Sequence, residues 1–363
     1  MSKIWIVIRY FLLCGIFIYL AACSSVSEMV GELLPTPSPQ PTLTPMPSVG
    51  QLGERMEWGG WAITVSNVLR SSLDPRELNP YQNRPGDRDY ISMDVTVERT
   101  IDEPGNIDGE RFTLIDRSGE VYKERYPLQN WVYDQGVYTL NEKGTDRIVI
   151  PVPKTVEELK LRFTPYPPIP APLEIALDQV KQVRKIDLRE AIELGLLTTE
   201  VRGMSLERIE VEFEVSAELE DSIEVSITPG TMFLAPSPDL QTMVVREEMI
   251  VFLTPKRELS VKLDVACANM TLKAPAGGET YIVQIEPPAE ELRKLLGLPE
   301  FQDSSFRLQQ FAIWTITDNP ASGRYIGLGV GDQGSPPSRD ELAQIRQWFE
   351  QAGIEVANYS GLR

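Results

Sequence analysis

The stretch that decides the fold is Tyr90-Ile91-Ser92-Met93-Asp94-Val95-Thr96-Val97, in which apolar and polar residues alternate. Alternation with a period of two is typical of a half-buried β-strand. Similar short stretches, separated by turn residues, occur at 61–65, 112–116, 121–122, 148–150, 159–163 and 173–177. Many short strands with turns between them predict a β-sandwich, which we place at residues 50–180.

The second half begins with another alternating stretch, Ile209-Glu210-Val211-Glu212-Phe213-Glu214-Val215. Later in this half, every second residue of one stretch is apolar: Val261, Leu263, Val265 and Cys267. Residues two apart lie on the same face of a strand, so we expect Cys267 to point into the core. Helices are predicted over 290–296, 304–317 and 340–352, and Ser338 and Glu341 form a capping box for the last of them. This mixture predicts an α+β domain over residues 198–363.

A short helix from Asp187 to Leu194 is predicted between the two domains, within a linking segment at 181–197. Asp187 is its expected N-cap, and Gly195 is its expected stop signal. The predicted fold class is therefore mostly β, with an immunoglobulin-like sandwich followed by an α+β domain.

The N-terminus has the parts of an export signal. A positively charged start and an apolar run from Phe11 to Leu20 lead to Leu20-Ala21-Ala22-Cys23. This pattern resembles the bacterial lipoprotein signal, which is cut just before the cysteine. The resemblance implies a signal peptide at 1–22 and a lipid, including palmitate, on Cys23. The alternative is an ordinary secretory signal that releases a free protein.

A proline-rich linker follows the lipidation site and completes the segment 23–49. From Pro35 to Pro47 every second to fourth residue is proline, and no charge occurs. Proline fixes φ and removes hydrogen-bond donors, which favours extended polyproline II. Thirteen such residues at ~3.1 Å each span roughly 40 Å, so the linker is predicted to act as a stalk.

Composition excludes several kinds of chemistry. The 363 residues contain no histidine and carry a net charge of −18. The absence of histidine excludes Ser-His-Asp catalysis and histidine-ligated metals, and we expect no metal and no cofactor. The acidic balance argues against nucleic acid as a partner. Of three cysteines, Cys14 lies in the signal and Cys23 is the anchor, so Cys267 cannot form an internal disulfide in the mature chain.

Two stretches resemble binding motifs, for a dinucleotide and for calcium, but neither has the surrounding residues that its motif requires. Gly329, Gly331 and Gly334 match a dinucleotide-binding spacing, but the next helix begins only at Ser338. The acidic loop at 102–110 does not supply carboxylates at the positions that an EF-hand needs, which leaves only a looser calcium site open.

Three stretches also resemble a known family. They are Gly60-Trp61-Ala62-Ile63-Thr64-Val65, then residues 90–97, then Phe112 to Tyr122 with Leu114, Asp116 and Gly119 between. Together they look like a bacterial immunoglobulin-like family that is exported and often lipid-anchored. Its function is unknown, and some members carry a misapplied telomeric-repeat-binding-factor-like label. The resemblance implies fold and location for about a third of the chain, with no catalytic residues.

One pair of residues suggests covalent chemistry. The motif Gln310-Phe311-Ala312-Ile313-Trp314 resembles the glutamine motif of bacterial surface thioester domains, although Gln309 replaces the usual threonine. In those domains a cysteine sulfur is joined to a glutamine side chain, which would pair Cys267 with Gln310 here. The alternative is a core cysteine packed under an amphipathic helix, since free cysteine is among the most buried residues.

These observations predict a lipid-anchored, extracytoplasmic protein of the cell membrane. Its expected role is non-catalytic binding or adhesion at the cell surface, with a protein or glycan as the unidentified ligand and with the membrane as a partner through Cys23. The alternative function is a covalent thioester adhesin that uses Cys267 and Gln310. An enzyme that uses paired carboxylates ranks third, and a purely structural role in the cell envelope is a further alternative. We expect no enzymatic activity.

Overall fold

The computed structural model describes residues 49–77, 79, 83, 85–123, 137–165, 171–255, 257–321, 323–326 and 334–363. The predicted signal peptide, Cys23, almost all of the linker, Gly329 and Gly331 lie outside these residues. No helix in the described part of the chain is long and apolar enough to cross a membrane.

Two antiparallel sheets make up the first half. One has the strand order β1 (Met56–Trp58), β2 (Trp61–Ser71), β3 (Arg88–Arg99), β8 (Lys143–Pro153), and β11 (Lys181–Gln182) runs parallel to β2. The other has the order β10 (Leu173–Ala176), β9 (Leu159–Phe163), β5 (Phe112–Asp116), β6 (Val121–Lys123). A separate pair joins β4 (Gly105–Asn106) to β7 (Val137–Tyr138), and a 3₁₀ turn at Gly109–Arg111 precedes β5.

A single apolar core fills the space between these sheets. It includes the buried face of β3, from Ile91 to Val97, and Phe112 and Phe163 of the facing sheet, whose rings stack 5.0 Å apart. Because alternate residues on both sheets point into this shared core, the two sheets form the predicted β-sandwich. We call residues 49–177 the sandwich half.

The second half contains a small sheet and a closed barrel. The small sheet has the order β12 (Arg184–Asp187), β15 (Ile223–Ile227), β18 (Met249–Leu253). The barrel has the order β13 (Leu197–Gly203), β14 (Arg208–Val215), β19 (Leu259–Cys267), β17 (Met243–Val245), β16 (Met232–Leu234), β20 (Thr280–Val283). These strands share one large core with the helices that follow. We call residues 184–363 the barrel half.

The helices of the barrel half lie mostly after its last strand. They are α1 (Leu188–Glu193), α2 (Glu290–Leu296), α3 (Pro299–Gln302), α4 (Phe306–Thr317) and α5 (Arg339–Gln351), and 3₁₀ turns follow at Val356–Asn358 and Ser360–Leu362. The capping box predicted for the last helix is confirmed, because Ser338 and Glu341 exchange both hydrogen bonds. The predicted α+β character of this half is confirmed as well.

The linking segment is only partly helical. Asp187 caps α1 by accepting a hydrogen bond from the backbone amide of Arg189, and Gly195 has a φ of +66°, as expected for a helix stop. Before Asp187 the chain is extended rather than helical, because β11 pairs with β2 in the sandwich and β12 pairs with β15 in the barrel half. The helix predicted from Asp187 to Leu194 is confirmed: it spans Leu188–Glu193, with Asp187 and Leu194 as its caps.

Candidate functional site

Cys267 ends strand β19 and points into the barrel, as the alternation predicted. Its side chain is fully buried. The sulfur lies 3.9 Å from Sδ of Met243 on the neighbouring strand and 3.9 Å from the carbonyl oxygen of Leu206. These contacts are the ordinary packing distances of a core thiol.

Gln310 reaches Cys267 from helix α4. The backbone amide of Cys267 donates to Oε1 of Gln310 at 2.9 Å, and Nε2 of Gln310 donates to the carbonyl oxygen of Cys267 at 2.6 Å. The structure thus brings the two predicted residues together. The two hydrogen bonds join the peptide group of Cys267, rather than its sulfur, to both polar atoms of the Gln310 carboxamide. Gln310 is itself fully buried.

The geometry of the barrel explains why a side chain is needed there. Strand β14 begins at Arg208, opposite Asp264, and the amide of Val265 still donates to the carbonyl of Glu207 at 2.8 Å. Beyond that point the chain before β14 turns away, so the amide and carbonyl of Cys267 have no strand beside them on the β14 side, although β17 pairs with β19 on the other side. The carboxamide of Gln310 supplies one donor and one acceptor in the place of that strand.

Burial also sets the chemistry of the thiol. It raises the pKa of Cys267 to about 12, so the thiolate is disfavoured. The nearby Tyr281 phenol has its pKa raised to about 12, first by burial and then by the charges of Glu279 and Cys267. A nucleophilic cysteine requires a lowered pKa, so in this state the Cys267 thiol is unreactive.

The other residues of the glutamine motif pack into the core. Trp314 is buried, and its ring meets Phe311 edge to face at 5.9 Å. Gln309 accepts a hydrogen bond from the buried Arg246 guanidinium and donates to the carbonyl of Phe301 at 2.8 Å. Gln309 therefore ties helix α4 to the barrel and to α3.

A surface cleft at one end of the sandwich was not predicted from the sequence. It has a volume of about 560 Å³ and adjoins a second hollow of about 450 Å³. The two hollows share the side chains of Asp116, Arg117, Glu157 and Glu158, which come from the β5–β6 turn and the loop before β9. Because these stretches are distant in sequence, only the fold brings them together.

The β5–β6 turn in this cleft is held by one carboxylate. Oδ1 of Asp116 accepts from the amide and hydroxyl of Ser118 and from the amide of Glu120, and Oδ2 accepts from the hydroxyl of Tyr122 at 2.8 Å. The hydrogen bonds from Ser118 and then from Tyr122 lower the pKa of Asp116 to about 2. This carboxylate therefore stays charged and keeps the turn in one conformation.

The start of the described chain runs beside the cleft. Gly50 runs parallel to β10, donating to the carbonyl of Glu174 at 3.0 Å and accepting from the amide of Ala176 at 2.9 Å. The chain therefore enters the sandwich from the Leu173 end of β10. The cleft is lined by Glu174 and Ala176, the two residues to which Gly50 is hydrogen-bonded, and by Leu177 and Asp178 just after them.

Among the described residues, no group of three or more cysteine, aspartate or glutamate side chains could hold a metal ion. The acidic loop at 102–110, where a loose calcium site was left open, is described in full and contains no such group.

No protein-family model and no curated protein sequence matches the chain. Similar solved structures include the yjhA protein of Bacillus subtilis, at 17% identity over 36% of this chain and 100% of that one, with a TM-score of 0.28. An uncharacterized β-sandwich protein of Clostridium difficile has 16% identity over 38% and 99%, with a TM-score of 0.25. The secreted Mycobacterium tuberculosis protein MPT63 has 14% identity over 37% and 99%, with a TM-score of 0.27. At these TM-scores, the fold assignment rests on the strand pairing described above.

Proposed function

We propose that this chain is a lipid-anchored, extracytoplasmic protein that binds a ligand at the cell surface without transforming it. The lipoprotein-like signal ending at Cys23 and the stalk that follows support the location. The two packed sheets support the family resemblance at the level of a β-sandwich, and we propose that this half is immunoglobulin-like. Several acyl chains on one cysteine are enough for stable anchoring.

The observation that carries the proposal is the cleft formed by the β5–β6 turn and the loop before β9. Its volume is about 560 Å³, and a second hollow of about 450 Å³ adjoins it. Loops on a rigid sandwich are the common place for binding residues.

The lining of the cleft suits a polar ligand. Glu174 is paired with Lys160 and Arg162, and Glu158 is paired with Arg117 at 3.4 Å. Glu157 and Asp178 are exposed and add negative charge to the same surface. Charges of both signs beside hydrogen-bonding groups favour a protein or glycan surface over an apolar small molecule.

The test is a binding screen with full-length protein anchored in liposomes. Peptide and oligosaccharide arrays are probed with the wild type, with a Glu157→Ala, Arg117→Ala double variant, and with Glu220→Ala as a control on an exposed residue of the barrel half. We expect saturable binding that only the cleft variant loses, and the recovered ligand should have an unchanged mass. Binding that survives in the cleft variant, or a chemically altered ligand, would overturn the proposal.

A second candidate is a covalent thioester adhesin. The observation in its favour is that Cys267 and Gln310 are in direct contact inside the barrel. The reaction would join Sγ of Cys267 to the side-chain carbonyl carbon of Gln310, while the C–N bond breaks and ammonia leaves with the thiol proton. The raised thiol pKa and the engagement of both amide atoms favour the unreacted pair, so we rank this function second.

A further inference from the structure

Glu224 is a charged residue in the interior of the molecule. It is the second residue of β15 and lies between Ile223 and Val225, whose side chains belong to the core of the barrel half. The alternation of the strand turns Glu224 to the opposite face of the small sheet. Its side chain nevertheless has no solvent exposure.

The residues that bury Glu224 belong to the sandwich half. The amide and hydroxyl of Ser72 donate to the two oxygens of this carboxylate, at 2.5 and 2.6 Å, and the amide of Leu73 donates at 3.3 Å. Both residues directly follow β2. On the other side, Nζ of Lys185 on β12 lies 3.6 Å away, and this lysine is largely exposed.

The same segment makes the rest of the junction. Two residues before Ser72, the Arg70 carbonyl accepts from the amide of Val183 at 2.9 Å in the linking segment. The Arg70 guanidinium holds the loop before β9 through the carbonyls of Val156, at 2.5 Å, and Lys154, at 2.9 Å. Glu224 therefore meets the sandwich at a point that is already fixed by several hydrogen bonds.

A buried carboxylate restricts how two surfaces can meet. Removing its charge from water is costly unless donors replace the lost hydration. In the observed arrangement of the two halves, three hydrogen-bond donors of Ser72 and Leu73 replace the lost hydration of the Glu224 carboxylate. A shift along the junction would keep the carboxylate out of water and remove those donors, so shifted arrangements are disfavoured.

We propose that Glu224 is a latch that fixes the sandwich half and the barrel half in a single arrangement. Its function is to orient the two halves rather than to stabilise either core. The latch does not depend on what the protein binds.

The experiment is hydrogen exchange measured by mass spectrometry on the full chain. Glu224→Ala removes every acceptor, whereas Glu224→Gln keeps one oxygen for the two backbone amides. Glu220→Ala is the matched control, because Glu220 is an exposed carboxylate four residues earlier. Ser72→Ala removes a single donor from the sandwich side and is read in place of Glu224→Ala if that variant does not fold.

We expect Glu224→Ala to speed exchange about tenfold in peptides covering 69–74 and 181–187, because an opened junction exposes those amides. Glu224→Gln and Ser72→Ala should show smaller increases at the same peptides. Peptides from β3 and α4, inside the two cores, should exchange at the wild-type rate. Unchanged exchange at the junction, or an equal increase everywhere, would overturn the latch.

Discussion

The carboxamide of Gln310 pairs with the peptide group of Cys267 in the way that a neighbouring β-strand would. Its oxygen accepts from the Cys267 amide at 2.9 Å, and its nitrogen donates to the Cys267 carbonyl at 2.6 Å. A helix thereby completes the hydrogen bonding of a barrel strand at the point where the adjacent strand has ended. Both partners are fully buried, so water cannot replace either bond.

Replacing this glutamine should be costly. Gln310→Leu has a similar size but leaves the amide and the carbonyl of Cys267 unpaired, at about 1–3 kcal/mol for each buried group. We expect a lower free energy of unfolding in urea, with the loss confined to the barrel half. Gln347→Leu, at an exposed position of helix α5, is the control. Equal stability of the two variants would show that the pairing contributes nothing.

The turn at Asp116 should resist acid. Hydrogen bonds from Ser118 and Tyr122 lower the pKa of this carboxyl from 3.8 to about 2. Because the folded-state pKa is the lower one, the stabilisation is present above about pH 4 and is lost as the pH falls from about 4 to about 2. Carbon-detected NMR should show the depressed pKa in the wild type.

Ser118→Ala is the matched variant for that titration. It removes the hydroxyl that donates to Asp116 and keeps the backbone amide. The pKa of Asp116 should then rise toward 3.8, and a pKa that stays near 2 would mean that the hydroxyl is not the main cause.

The sequence predicted those parts of the fold that depend on local pattern. The alternation at residues 90–97 and 209–215 identified strands β3 and β14, and Ser338 with Glu341 identified the start of α5. The alternation of apolar residues from Val261 to Cys267 was enough to predict that Cys267 points inward. In each case the pattern reflects which side of one element is buried.

Features that depend on tertiary contacts were not predictable in this way. Strands β16 and β17 have three residues each, too few for a periodic pattern, and the barrel closes only through partners distant in sequence. Glu224 alternates with apolar residues as a solvent-facing residue would. Its burial arises because Ser72 and Leu73, about 150 residues earlier, cover that face.

The proposed anchor predicts a change in location. Cys23→Ser should release the protein from membranes or leave the signal uncut, because the serine hydroxyl does not replace the thiolate that accepts the lipid. Cell fractionation and the mass of the N-terminal peptide measure both effects. Cys14→Ser, within the signal, is the control and should fractionate like the wild type. A Cys23→Ser protein that is processed and membrane-bound like the wild type would contradict the lipid anchor.

The two readings of Cys267 and Gln310 differ in mass. A thioester makes the protein lighter by one ammonia, and methylamine would then add to Gln310. We expect the full sequence mass and slow alkylation of the thiol until the barrel half unfolds. Cys267→Ala should lower the free energy of unfolding by about 1 kcal/mol, from the lost sulfur and a small cavity. An ammonia-light mass that disappears in Cys267→Ala would establish the thioester instead.

The same thiol should make the stability of the barrel half sensitive to alkali. Burial raises the pKa of Cys267 from 9.0 to about 12. Because the folded-state pKa is the higher one, the folded protein holds this proton more tightly, and the stabilisation is complete below about pH 9 and is lost as the pH rises to about 12. Between those values one such group lowers the free energy of unfolding by up to about 1.4 kcal/mol per pH unit.

The free energy of unfolding measured in urea should therefore fall faster with rising pH for the wild type than for Cys267→Ala, in which the other titrating groups are the same. Parallel pH profiles would mean that no buried thiol is present, as a thioester requires.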